Sequence, residues 1–372
     1  MFSRVAVLAL ILTAALAPKS AFAIPLFAQR YHLKCEVCHS VLPELNAFGN
    51  AFRARGYQLP IRKHGTTGIA FRYQLEDDRD PAPGARPLVP GGVLLSNADV
   101  GRISAFLHYN FGAQGGPAGA YLAFLATYME RSKTEIRLGL FELPLIHSPG
   151  QRLDDLATYG YEGSHVGLND LTLAQPRLGV EAEQRVGTSI VAATLAIGEF
   201  KGAAYGGKPI DTGVNTRAGR PEAGLFVRTP VADWVTLSGD AMAGTREIFP
   251  TGASAFLDGY RRDALGIDLH RAHWSLLGEQ WWGNDSNADG FGTDFGSSGG
   301  FVRLRYALGD HAYIGARYDT AAVPTATRDI VIYAATQLGR HARFLIENKH
   351  TFNGATTLEG ALTIGFPWPW GL

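Results

Sequence analysis

Cysteine is almost absent from this chain: two occur in 372 residues, and both fall in Cys35-Glu36-Val37-Cys38-His39. That scarcity excludes a disulfide-stapled scaffold and any cysteine-rich metal cluster. Methionine is nearly as rare. With Met1 set aside, only Met129 and Met242 remain, far along the chain, which excludes a histidine-methionine iron pair inside a small N-terminal domain. Charge of one sign is missing too: 34 basic residues balance 34 acidic ones, so binding to nucleic acid or another polyanion has no electrostatic support. Beyond the N-terminus there is no apolar run long enough for a membrane-spanning helix, and past residue 65 no helical stripe of useful length. A content of 46% hydrophobic and 18% charged residues, with 45 glycines, also excludes disorder.

What is present begins with an export signal over residues 1–23. Arg4 gives the positive start, Val5 to Ala17 the apolar run, and Ala21-Phe22-Ala23 a small-x-small cleavage site, so the mature chain is expected to begin near Ile24. Removal of Arg4 and Lys19 leaves a charge of about −2.

The two cysteines have the spacing of c-type haem attachment. Two thiols must reach the two vinyl groups of one porphyrin while the adjacent imidazole reaches the iron. Cys35 and Cys38 are therefore the expected thioether residues of one covalent haem c, and His39 the expected proximal iron ligand. A disulfide between the cysteines would not ask for the histidine. A thioredoxin-like site wants a βαβ setting that is lacking, and zinc would need further ligands at matching spacing. For the sixth position His64 is the nearest downstream candidate; an open site, His32, or a residue from the rest of the chain are the alternatives.

Beyond residue 66 the pattern has period two. In Arg102 to Phe111, Ile103, Ala105, Leu107, Tyr109 and Phe111 share one face, and Arg102, Ser104, His108 and Asn110 the other. Alternation over about ten residues is a transmembrane β-strand length. Comparable segments recur fifteen times between residues 68 and 366. A bacterial single-chain barrel needs an even number, so one is missing or one is false; His165 to Ala174 is the expected omission and sixteen the expected total, with fourteen the alternative. Short turns alternate with long connections at Leu145 to Ser164, Gly202 to Pro221 and Gly283 to Ser298. Arg72, Arg102, Arg137, Arg177, Arg303, Arg305 and Arg317 fall on the expected lumen face. Asp285, Asn287, Asp289 and Gly290 reproduce half of an EF-hand loop, but Gly296 stands where the bidentate glutamate belongs; an Asx-turn loop is the plainer reading.

The run Ile24-Pro25-Leu26-Phe27-Ala28, the haem motif, Pro43-Glu44-Leu45-Asn46-Ala47-Phe48-Gly49, Phe52 and Gly56-Tyr57 resembles the opening of the fused outer-membrane cytochrome-porins of iron-oxidising bacteria. Gln29-Arg30-Tyr31-His32 departs from that family's pattern before the motif. The resemblance implies an electron conduit that accepts electrons from extracellular Fe(II) and passes them to a periplasmic c-type cytochrome. The expectation is thus a mainly β protein: signal peptide 1–23, a small α-helical monohaem cytochrome c domain at 24–66, and an antiparallel β-barrel of about sixteen strands at 67–372, in contact with outer-membrane lipid. The expected function is iron(II)-oxidising electron transfer; the alternative is a porin-like channel, or a conduit for another donor, with the haem as plug or redox sensor.

Overall fold

The computed structural model describes residues 26–27, 31, 33, 37–41, 44–55, 57–59, 68–77, 88–111, 119–147, 156–157, 159–160, 165–169, 171, 173, 175–199, 215–217, 220–250, 252–309, 311–323, 325–338 and 342–367. The signal segment, Cys35, His32 and His64 lie outside them.

A small hairpin, β1 (His39–Val41) with β2 (Glu44–Leu45), precedes the helix α1 (Ala47–Arg53). The strands that follow are β3 (Gly68–Asp77), β4 (Leu88–Val100), β5 (Ile103–Phe111), β6 (Gly119–Met129), β7 (Thr134–Phe141), β8 (Arg177–Val186), β9 (Ser189–Glu199), β10 (Asn215–Arg217), β11 (Glu222–Ala232), β12 (Val235–Phe249), β13 (Phe256–Arg271), β14 (Trp274–Asp285), β15 (Phe295–Ala307), β16 (Ala312–Val323), β17 (Thr325–Leu338), β18 (Ala342–Thr351) and β19 (Thr356–Pro367). Apart from β10, successive strands pair antiparallel, and two pairings close the ring: β19 with β3, and β9 with β11. The three residues of β10 continue the line of β11 along β12. The result is a closed barrel of sixteen strands.

The alternation is inverted relative to a water-soluble sheet. Leu138, Leu195, Leu265 and Val302 are exposed on the outside, whereas Arg177, Arg246, Arg317, Glu135, Glu181 and Glu347 are buried inside. In lipid every backbone group must be satisfied within the protein, and a closed ladder does this for strands. Apolar side chains then face hydrocarbon, so the barrel lies in the outer membrane. Trp274 and Trp282 point outward from β14, eight residues apart. That is about 27 Å along the strand, or a band roughly 20 Å tall after the usual tilt, bounded by aromatics as a transmembrane barrel requires.

The two ends differ. Gly101-Arg102, residues 130–133, Gly187-Thr188, Asp233-Trp234 and Ala272-His273 close one end. Gly187 takes a φ of 62° there, a left-handed conformation that glycine adopts without strain. Short turns mark the periplasmic end. The other end carries the long connections, of which residues 142–176 are the largest.

Three expectations need correction. The N-terminal part is not an α-helical haem domain: among the described residues it holds the seven-residue α1, helical positions at Leu26, Phe27 and Tyr31, a short hairpin, and a small aromatic cluster of Phe27, Tyr31, Phe52 and Tyr57 that continues onto the barrel wall. The missing strand is β4, not His165 to Ala174, which is part of the loop between β7 and β8 with one isolated bridge, Val166 to Asn169. Arg102 lies in an exposed turn, while Arg72, Arg137, Arg177, Arg303, Arg305 and Arg317 face the lumen as expected.

Val302 sits on the row midway between the Trp274 and Trp282 rows. Val302→Arg is expected to destabilise the barrel by about 2–4 kcal/mol, against roughly 0–1 kcal/mol for Val100→Arg at the rim, measured by urea unfolding in lipid vesicles.

Candidate functional site

The segment bearing the haem motif meets the barrel at the periplasmic mouth. Leu26 is fully buried against Ala70, Val93 and Leu95, all on the lumen face of β3 and β4, with Phe27 and Phe106 beside them. Aromatic rings extend this contact. Phe27 stacks on Tyr57 at 4.5 Å between centroids, Tyr57 on Phe106 at 5.5 Å, and Phe106 on Phe124 at 5.3 Å. The Arg137 guanidinium lies 4.8 Å over the outer face of that last ring. Phe52 of α1 meets Phe27 and Tyr31 edge-on, and the Tyr31 hydroxyl donates to the Tyr57 carbonyl at 2.9 Å. At the rim Arg55 pairs with Glu130 and lies 4.8 Å over Tyr128. Aromatic pairs of this geometry add about 0.5–1.5 kcal/mol each beyond their burial, so the stack, not the exposed ion pair, dominates the docking. Burial of the Tyr57 ring pushes its phenol pKa above the usual value.

Within the segment the motif is held from behind by α1. The Cys38 carbonyl accepts from the Asn46 amide at 2.9 Å. The Asn46 side chain accepts from Gly49 N at 2.9 Å, capping the helix, and donates through Nδ2 to the Val37 carbonyl at 3.1 Å. A Cβ on Gly49 would fall 2.1 Å from the Cys38 carbonyl oxygen, so only glycine admits this approach. His39 opens β1 opposite Leu45.

Cys38 and His39 are both partly exposed, and Val37 and Phe48 expose 37% and 41% beside them. A thiol and an imidazole in adjacent, accessible positions next to apolar surface fit a thioether-linked porphyrin. Among the described residues no cluster of three or more His, Cys, Asp or Glu side chains could hold a bare metal ion. Met242 is buried in the middle of the barrel with Leu171 and Trp281, away from the mouth.

From the outer end the β7–β8 connection folds into the lumen, which its sequence did not signal. Leu143, Leu145, Ile146, Tyr159, Leu171 and Leu173 form one core with the wall residues Phe226, Trp281 and Phe301. Polar groups fix it at two places. Glu347 accepts from the amides of Leu156 and Ala157, both at 2.7 Å, while Arg317 donates to the Ala157 carbonyl and lies 3.6 Å over the Tyr159 ring. Asn169 donates to Asp258 at 2.6 Å and to Asp285 at 3.1 Å, and Arg262 pairs with Asp285 at 2.8 Å. The EF-hand-like run is accordingly an Asx loop. Asp285 is committed to Arg262 and Asn169, Asn287 accepts from Gly292 N, and Asp289 accepts from Phe291 N, with its pKa held down first by the Thr293 hydroxyl.

No family model and no curated protein matches the sequence. Solved structures share the fold. The outer membrane channel DcaP of Acinetobacter baumannii is similar at a TM-score of 0.51 and 10% identity, over 82% of this chain and 96% of that one. An anion-selective porin from Comamonas acidovorans gives 0.51 and 10%, over 81% and 97%. OmpT of Vibrio cholerae, an outer membrane protein in its trimer form, gives 0.55 and 11%, over 82% and 99%. At such identities the likeness is one of fold: this chain is a porin-like outer-membrane barrel.

Tyr57→Ala removes the centre of the aromatic stack, an expected loss of about 3 kcal/mol in docking. Limited proteolysis of the N-terminal segment, with the barrel intact, should accelerate roughly 100-fold if cleavage tracks the open population. Because the docked Tyr57 retains its proton at a pH where the released one has lost it, docking should hold up to about pH 10 and weaken above it, read as a rise in cleavage of the wild type only.

Proposed function

We propose that this porin-like barrel is stoppered at its periplasmic mouth by its own N-terminal segment, which carries one haem c attached through Cys35 and Cys38 with His39 as iron ligand. The observation that carries the reading is the docking of Leu26, Phe27 and Tyr57 onto lumen-facing Ala70, Val93, Leu95, Phe106 and Phe124. This mostly aromatic contact ties the segment that carries Val37, Cys38 and His39 to the periplasmic mouth. When bound, the haem supplies a one-electron centre. The chain's residues do the rest: Asn46 and Gly49 hold the motif against α1, and the aromatic stack excludes water along one side of the segment. His64 remains the candidate for the sixth position.

A second reading is favoured by one further observation, the filling of the lumen from both ends. The β7–β8 loop enters from outside and the motif segment from the periplasm, an arrangement that narrows the route for solutes along the lumen. Together with the resemblance over residues 24–57, this supports a conduit in which extracellular Fe(II) gives electrons to the haem and a periplasmic c-type cytochrome takes them.

Two measurements on the detergent-purified protein separate the readings. In planar bilayers, deletion of residues 24–59 and Tyr57→Ala should each raise conductance several-fold over wild type; unchanged conductance in both sinks the stopper. In stopped flow with Fe(II), rapid reduction of the oxidised haem, lost in His39→Ala, supports the conduit. Reduction by dithionite but not by Fe(II) leaves the stoppered channel and removes iron as donor.

A further inference from the structure

The structure assigns Asn46 as the residue that positions the haem-binding backbone, acting through its side-chain N–H on Val37 and not merely as the cap of α1; the inference rests on the haem reading above. Three contacts made by this one residue converge on the motif. Its backbone N–H donates to the Cys38 carbonyl at 2.9 Å, its Nδ2 donates to the Val37 carbonyl at 3.1 Å, and its Oδ1 accepts from Gly49 N at 2.9 Å. The carbonyls of two successive motif residues are therefore both fixed by Asn46. Gly49 completes the arrangement, since the Cys38 carbonyl lies where its Cβ would be. Asn50 ties the same turn to β2, its Nδ2 donating to the carbonyls of Leu45 and Asn46, each at 3.1 Å.

The physical consequence concerns geometry at the iron. Thioether bonds would attach the porphyrin to the two cysteines, while the His39 imidazole is carried by the main chain that runs from Val37 through Cys38 to His39. A Val37–Cys38 peptide free to rotate would turn the His39 imidazole away from the position in which it could serve as an iron ligand. A carbonyl held by a side-chain amide and its neighbour held by a backbone amide remove that freedom. Among the good capping residues, asparagine places its acceptor for the helix and its donor for the motif on two separate atoms, whereas serine and threonine have one hydroxyl oxygen for both. Aspartate would cap α1 as well, but would set a carboxylate oxygen against the Val37 carbonyl oxygen.

That difference supplies the test. Wild type, Asn46→Asp, Asn46→Ala and Gly49→Ala are produced at full length in a host that matures c-type cytochromes, and the heat-dependent gel shift of the barrel reports its folding. Covalent haem per chain, the ferric absorption and electron paramagnetic resonance spectra, and the midpoint potential are then read. The inference expects one haem in the wild type. It expects Asn46→Asp and Asn46→Ala to lose haem content at least threefold, or to keep haem with a shifted spin-state spectrum and potential, while the barrel stays folded. Gly49→Ala should behave alike. An Asn46→Asp protein matching wild type in haem content, spectra and potential, with only Asn46→Ala impaired, shows a helix cap and overturns the inference while the haem reading stands. A folded wild type without haem overturns the haem reading and the inference with it.

Discussion

Closure of the hydrogen-bonded ladder is the constraint on which the rest of this structure depends. A sheet immersed in hydrocarbon has no water to satisfy its edges, so β19 must find β3 and β9 must find β11. Once the ring is closed, the period of two sends every second side chain to lipid and the others inward. The inward set is charged, and its members cannot be buried singly. They pair: Arg177 with Glu222 at 2.8 Å, Arg137 with Glu181 at 2.8 Å, and Arg317 with Asp319 at 2.7 Å. Such pairs add little net stability, but removing one partner leaves a buried charge at a cost of about 3–5 kcal/mol. The interior is therefore chemically committed, and whatever enters it must match what is there.

Two elements enter, and they match in different ways. The β7–β8 loop uses both vocabularies. Its apolar residues settle on Phe226, Trp281 and Phe301, and its amides and Asn169 take the carboxylates of Glu347, Asp258 and Asp285. The N-terminal segment comes to a part of the wall that is itself apolar. Ala70, Val93, Leu95, Phe106 and Phe124 are lumen residues of β3 to β6 with no charge to pair. A water-filled wall would not carry such a patch, and the patch is what makes the segment a fixture of the barrel and not a tethered domain.

The same patch explains why one strand was illegible in the sequence. Fifteen strands announce themselves because apolar and polar residues alternate. In β4, Val93 and Leu95 face inward under Leu26 while Leu94 faces out, and Pro90-Gly91-Gly92 resembles a turn, so the alternation vanishes where a second element covers the inner face. The helical haem domain was misread for a related reason. The resemblance implied an independent haem domain, whereas the cluster of Phe27, Phe52 and Tyr57 is completed by Phe106 of the barrel wall. The lumen arginines were legible because they sit in regular strands; Arg246 and Arg262 went unremarked though their strands alternate as clearly. The inward course of the β7–β8 loop left no trace that a surface loop would not share. Its hydrophobic residues have no period, and only contact with the wall gives them meaning.

What the haem motif requires of its surroundings is narrower than a domain. It needs the main chain between Val37 and His39 fixed, apolar surface at hand, and an anchor that does not move. A hairpin of a few residues, one helix of seven, and the aromatic stack provide these with far less chain than a separate cytochrome fold would use. The economy has a cost in independence. Because Phe27 and Tyr57 serve both the segment's own ring cluster and the barrel wall, undocking the segment removes part of what orders the motif. A change that frees Tyr57 from Phe106 therefore acts on the residues that present Cys38 and His39 through Phe52 of α1. On the reading proposed above, redox chemistry and access to the lumen would share one contact, with Tyr57 at its centre.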